Sequence, residues 1–153
     1  MMASKNSQAV SRMVEVQVSG LVGPALNWAV FCAIYKGMQP TINVVEASYH
    51  KMPGAAKAMQ FPRSVSLSYT GAHGVECRWN PQGDWDEGGP LIDRFGIEFE
   101  WITDATLRAE IPTCGTSSFA SNHLIAACRA IVVAHLGWVV SVPAELICDG
   151  KPK

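Results

Sequence analysis

The sequence predicts an α+β domain: an antiparallel or mixed sheet of five to six strands with two main helices packed on one face. Two observations carry this reading. Segments 14–18, 64–69, 75–79, 97–101 and 107–111 alternate apolar and polar residues with the two-residue period of half-buried strands. Two longer runs, 25–36 and 122–136, are apolar over most of their circumference and end at Gly37 and Gly137, with Lys36 and Arg129 as their formal charges.

In chain order, residues 1–12 are polar and aperiodic and read as a leader, followed by one globular domain at 13–148 and a tail at 149–153. Val14 to Val18 is the first strand, and Pro24 stands where a first helical turn tolerates proline. Ile42 to Val45 forms a short strand, while Pro53, Gly54 and Pro62 make 48–62 an irregular excursion. Segments 64–69 and 75–79 flank Gly71 to Gly74 and read as a hairpin. Residues 80–90 are rich in Gly, Pro, Asn and Asp and read as a structured loop, with one helical turn at 91–94. A second hairpin, turning near Thr103 to Ala105, sets Arg108 opposite the acidic face of Glu98 and Glu100. The Cys114 to Ser118 loop leads to Ser121 as helix cap, and a strand at 138–142 closes the domain, with Trp101 and Trp138 expected in the core.

The chain has 153 residues, 48% of them hydrophobic and 16% charged, with a net charge of −1, which excludes a disordered, solvated chain. No apolar run reaches 18 residues, and the amino terminus lacks the basic-then-apolar order of a secretory signal, so the expected location is cytoplasmic, off the membrane. Five cysteines at wide spacing, with no C-x-x-C, fit reduced thiols rather than a disulfide framework. Charge is uneven: residues 1–75 sum to +4, 76–110 to −6 and the remainder to +1. The lysines and arginines form no dense patch, which argues against nucleic acid as a partner.

Three segments resemble the NinX-like family of bacteriophage and prophage proteins. They are Ser19-Gly20-Leu21-Val22-Gly23-Pro24-Ala25-Leu26-Asn27-Trp28-Ala29-Val30, then Asp84-Trp85-Asp86-Glu87-Gly88-Gly89-Pro90-Leu91-Ile92-Asp93-Arg94-Phe95-Gly96-Ile97, then His123 to Arg129 with Leu136-Gly137 and Val142-Pro143-Ala144-Glu145-Leu146. Departures from the family pattern are Asn27 where Asp is usual, Cys128 where Met is usual, and His123 in place of Pro. The resemblance implies a small accessory protein of a phage or prophage, working in a bacterial host cell, and brings no defined activity with it.

Candidate chemistry is sparse. Asp84, Asp86 and Glu87 crowd one segment, but the calcium-loop pattern is absent, and His123, Cys114 and Cys128 match no structural zinc spacing. Cys128 and His135 stand about 10 Å apart along one helix, too far for a nucleophile and its base. No cofactor or metal is therefore expected, and a hydrolase is the weakest of the readings. Arg129 on an apolar helix must meet an acid such as Asp86 or Asp93, reach water, or bind an anion. The sequence reading is thus a non-enzymatic binding module. Asn27, Trp28, Trp85, Asp86, Gly88, Gly89 and Arg129 form a site for a small anionic or nucleotide-like ligand, the tryptophans stacking and the glycine N–H groups approaching the anion. The alternative is a protein-interaction module that docks a basic host or phage partner on the acidic 84–100 surface. Homo-oligomerisation is left open.

Overall fold

The structure, a computed structural model, describes residues 12–54 and 56–147. The expected leader and tail lie outside these residues, except for Arg12, whose carbonyl accepts from the Ala144 N–H at 2.7 Å. In chain order the elements are β1 (Met13–Gln17), α1 (Gly23–Ile34), β2 (Thr41–Val45), β3 (Ser48–His50), β4 (Met59–Phe61), β5 (Ser64–Thr70) and β6 (Glu76–Trp79). They continue with α2 (Trp85–Phe95), β7 (Glu98–Trp101), β8 (Leu107–Ile111), β9 (Thr116–Ala120), α3 (His123–Leu136) and β10 (Val139–Pro143).

The fold is α+β, but its strands do not make the expected single sheet. Among the described residues they form four small antiparallel sheets, ordered β1-β10, β2-β5-β6, β3-β4 and β7-β8-β9, and there are three α-helices rather than two. The physical reason lies in α1 and α3. Ala25 to Phe31 are all buried, as are Leu124, Ala126 to Cys128 and Ala130 to Val133, so each helix needs cover on several sides, more than one sheet face supplies. The two helices pack on each other; β8 and β9 cover α3, and β5 and β10 cover α1.

Alternation then sets register. Leu107, Ala109 and Ile111 on β8 are buried, while Arg108 faces outward and meets Glu100 on β7 at 2.6 Å, the cross-strand pairing expected from the sequence, and Glu110 on its own strand at 3.8 Å. Leu67 on β5 pairs with Trp79 on β6, and both are buried.

Five local expectations are corrected. The 84–90 segment is the start of α2, capped by Asp84, whose Oδ1 accepts from the Asp86 N–H at 2.9 Å, and ended by Gly96 at φ 62°. The 48–62 excursion carries the β3-β4 hairpin, and the loop after Cys114 continues into β9. The cap of α3 is Asn122 rather than Ser121; its Oδ1 accepts from the Ile125 N–H at 2.9 Å. Trp101 and Trp138 are 51% and 54% exposed, because Trp101 ends the edge strand β7 and Trp138 stands in the junction between α3 and β10, and Trp28 and Trp79 are the buried pair instead.

Candidate functional site

β6 alternates, so Cys77 and Trp79 face α1 while Glu76 and Arg78 lie on the opposite face of the sheet. Trp79 is held from three sides by Phe31, Tyr35 and Tyr69, with ring centroids 5.4, 6.1 and 5.7 Å away. Its indole N–H donates to the Asn27 carbonyl at 2.8 Å, fixing the ring to α1 in both position and rotation.

The chain beyond Trp79 is pinned by side chains rather than by ladder bonds. Asn27, 4% exposed, donates through Nδ2 to Asn80 Oδ1 at 2.9 Å and accepts the Gln82 N–H on Oδ1 at 3.0 Å. The Asn80 N–H donates to the Glu87 carboxylate, and the Gly23 N–H donates to Gln82 Oε1 at 3.1 Å. A buried amide with both ends engaged positions its partners strongly, since leaving either end unpaired would cost free energy.

This frame encloses a cavity of about 200 Å³ lined by Gly23, Pro24, Asn27, Val65, Ser66, Leu67, Arg78, Trp79, Asn80 and Gln82. A shallower groove of about 350 Å³ adjoins it through Ser66, Leu67 and Arg78 and extends over Asn43, Ser68 and Glu76. At that end the polar groups are ordered: Asn43 Nδ2 donates to Ser68 Oγ at 3.0 Å, and Ser68 Oγ donates to Glu76 Oε2 at 2.6 Å. The Arg78 guanidinium stands between the two halves, without a hydrogen-bond or ion-pair partner among the described residues. The amino-terminal turn of α1 forms one wall, which places the positive end of a 12-residue helix beside the same space.

Of the seven residues singled out from the sequence, Asn27 lines this cavity and the other six do not. Trp28 is a buried core residue of α1. Trp85 is 58% exposed on the first turn of α2, 6.2 Å from the His123 ring, and Asp86 is exposed beside it. Gly88 and Gly89 lie within α2; the Gly88 N–H donates to the Asp84 carbonyl at 2.8 Å, and Gly88 packs on Pro81 and Leu124. Arg129 is half-buried and joins two backbone segments: Nε donates to the Leu21 carbonyl at 3.0 Å and Nη1 to the Phe119 carbonyl at 2.7 Å. Desolvation lowers its pKa from the ordinary arginine value, and neither Asp86 nor Asp93 forms an ion pair with it.

Arg78, Trp79, Asn80 and Gln82 escaped the sequence reading. Their signal was a tryptophan ending an alternating strand and running directly into an amide-rich turn, Trp79-Asn80-Pro81-Gln82. What could not be seen locally is that Asn27, 53 residues before Asn80, holds that turn in place.

No curated protein matches the chain. The family model described as "Bacteriophage P22, NinX" matches residues 17–135, which take in α1, the cavity walls, α2 and nearly all of α3. The chain therefore belongs to the NinX family of bacteriophage proteins.

Proposed function

We propose that this phage accessory protein is a non-enzymatic binding module whose groove takes a small anionic or nucleotide-like ligand in the cytoplasm of the host. The observation that carries the reading is Arg78, a guanidinium without a counter-ion among the described residues, set where a walled cavity meets an open groove. A planar fork of donors suits phosphate or carboxylate. Ser66 and the amides of Asn80 and Gln82 supply further polar contacts, and the immobilised Trp79 ring supplies an apolar wall. In this reading Asn27 is a positioning residue, because both ends of its amide are taken up by the 80–82 turn. Trp85, Gly88, Gly89 and Arg129 lie away from the ligand.

Thermal denaturation with inorganic phosphate, nucleosides and nucleoside mono-, di- and triphosphates tests it. A ligand at 100 times its Kd adds ~2.7 kcal/mol and raises the midpoint. Phosphate-bearing compounds should raise it and Arg78→Ala should abolish the rise. A midpoint that none of them moves, or a rise that survives Arg78→Ala, overturns the reading.

A second reading is favoured by one observation. Trp85 is exposed within the acidic 84–100 segment and Trp101 is exposed directly after it, so that surface offers a basic protein partner both charge and apolar area.

A further inference from the structure

Between β2 and β5 the chain leaves the body of the protein. Apart from Ser48, every described residue of 45–62 is exposed, including Tyr49 at 72%, Met52, Met59 and Phe61. The β3-β4 hairpin is only three pairs long, Ser48 with Phe61, Tyr49 with Gln60 and His50 with Met59. One face of it is Ser48, His50, Met59 and Phe61, with the His50 and Phe61 rings 5.4 Å apart, and the other face presents Tyr49. A two-stranded hairpin with no core beneath it is marginal in water, and exposed apolar side chains concentrated on such an arm mark a surface that a partner covers. The arm is also basic. Arg63 lies 3.8 Å from Glu46 at its base, which leaves Lys51 and Lys57 unopposed near its end among the described residues.

The same chain carries the complement. Trp85 and Trp101 flank the His123 ring at 6.2 and 5.9 Å, with Phe99 at 4.8 Å and Ile102 exposed next to them. Asp84 and Asp86 adjoin Trp85, Asp104 follows in the turn after β7, and no lysine occurs between Lys57 and Lys151. An exposed basic and apolar arm and an exposed acidic and aromatic patch on one molecule satisfy each other when two copies meet about a two-fold axis, each arm on the other's patch. Lys51 and Lys57 then meet the carboxylates, and a lysine or Tyr49 can lie over a tryptophan face. We propose that the chain self-associates as a two-fold dimer in which the β3-β4 arm of each copy docks on the Trp85–His123–Trp101 patch of the other. This rests on the second reading in treating the acidic surface as an interface, and it names the partner. It is independent of the groove at Arg78.

Sedimentation velocity on the full chain from about 5 to 200 μM, at low and high salt, reads the outcome. Wild type should form a dimer whose Kd rises with salt. The arm variant K51E/K57E and the patch variant D86K/D104K should each weaken it at least tenfold, since like charges then face one another. Mixed in equal amounts, those two variants should restore a dimer, because both arm-to-patch contacts become attractive again. Y49S/F61S tests the apolar part and leaves the core untouched, with circular dichroism as the check on folding. A wild type that stays monomeric overturns self-association, as does a dimer indifferent to both charge reversals or a mixture that stays monomeric. A monomer that captures a basic peptide on the patch overturns it too, while leaving the second reading standing.

Discussion

Gly88 lies so close to Pro81 that a Cβ at this position would overlap the Pro81 carbonyl oxygen and stand 2.6 Å from Leu124 Cδ2. The glycine is the point at which α2 crosses the turn that closes the cavity and leans on α3. Gly88→Ala is expected to cost ~1–3 kcal/mol, as overpacking against fixed backbone does. At Gly89 the new Cβ would meet Trp85 Cε3 at 3.7 Å, an ordinary contact, so Gly89→Ala should be neutral or gain roughly 0.5–1 kcal/mol of helix propensity. Urea denaturation of the two variants side by side checks the contrast, and equal midpoints would contradict it.

Asn27 joins α1 to the turn at both ends of its amide. Asn27→Leu leaves the Gln82 N–H and Asn80 Oδ1 without partners and is expected to cost about 1–3 kcal/mol. Asn27→Asp should be milder: its carboxylate still accepts the Gln82 N–H, and Asn80 can turn its amide over to donate in place of accepting. Chemical denaturation at pH 7 ranks the three proteins, and an aspartate variant as unstable as the leucine variant would refute the arrangement.

The elements legible in the sequence are those whose partners are local or whose burial is uniform. α1 and α3 announce themselves by continuous apolar character, and β5, β6, β7 and β8 by alternation. α2 was hidden because Gly88, Gly89 and Pro90 are weak helix formers in succession, and proline at the sixth helical position removes the N–H that would meet the Asp86 carbonyl. Close approach to Pro81, a tertiary circumstance, is what calls for Gly88 there; the Asp84 cap and Gly96 stop were the local signals available. The division into four sheets is non-local in the same way, since β1 finds its partner in β10 at the far end of the domain. The cavity at Arg78 depends on three such long-range bonds, from Asn27 to Asn80, from Gln82 to Asn27 and from Gly23 to Gln82, so charge and motif patterns pointed instead to the exposed acids around Trp85.

Arg129 holds the Leu21 and Phe119 carbonyls together through two different nitrogens. A lysine has one ammonium and cannot span both, so Arg129→Lys should lose at least one charge-assisted bond, and Arg129→Met should lose both while keeping the packing of the stem. Expected losses are about 1 and about 2–3 kcal/mol in that order. Equilibrium denaturation measures them. A lysine variant of wild-type stability would show that the second carbonyl contributes nothing.

Burial raises the Cys128 thiol to about 12 and the Cys32 thiol to about 11, from an ordinary value of 9.0, because desolvation disfavours the thiolate. Two consequences can be measured. At pH 8 in the folded protein, both should resist alkylation by iodoacetamide while exposed Cys114 reacts, which mass spectrometry of the digested protein resolves. The sign of the pH dependence follows from linkage. Below pH 9 both states keep these thiols protonated and their contribution to stability is complete; above it the unfolded chain releases protons that the folded chain retains, so unfolding becomes easier as pH rises from 9 towards 11 and 12. Denaturation midpoints should therefore fall between pH 9 and 11, and the double variant C32A/C128A, lower in stability at pH 8 from lost packing, should show a shallower fall. An identical slope in both proteins would show that other groups govern the alkaline limb.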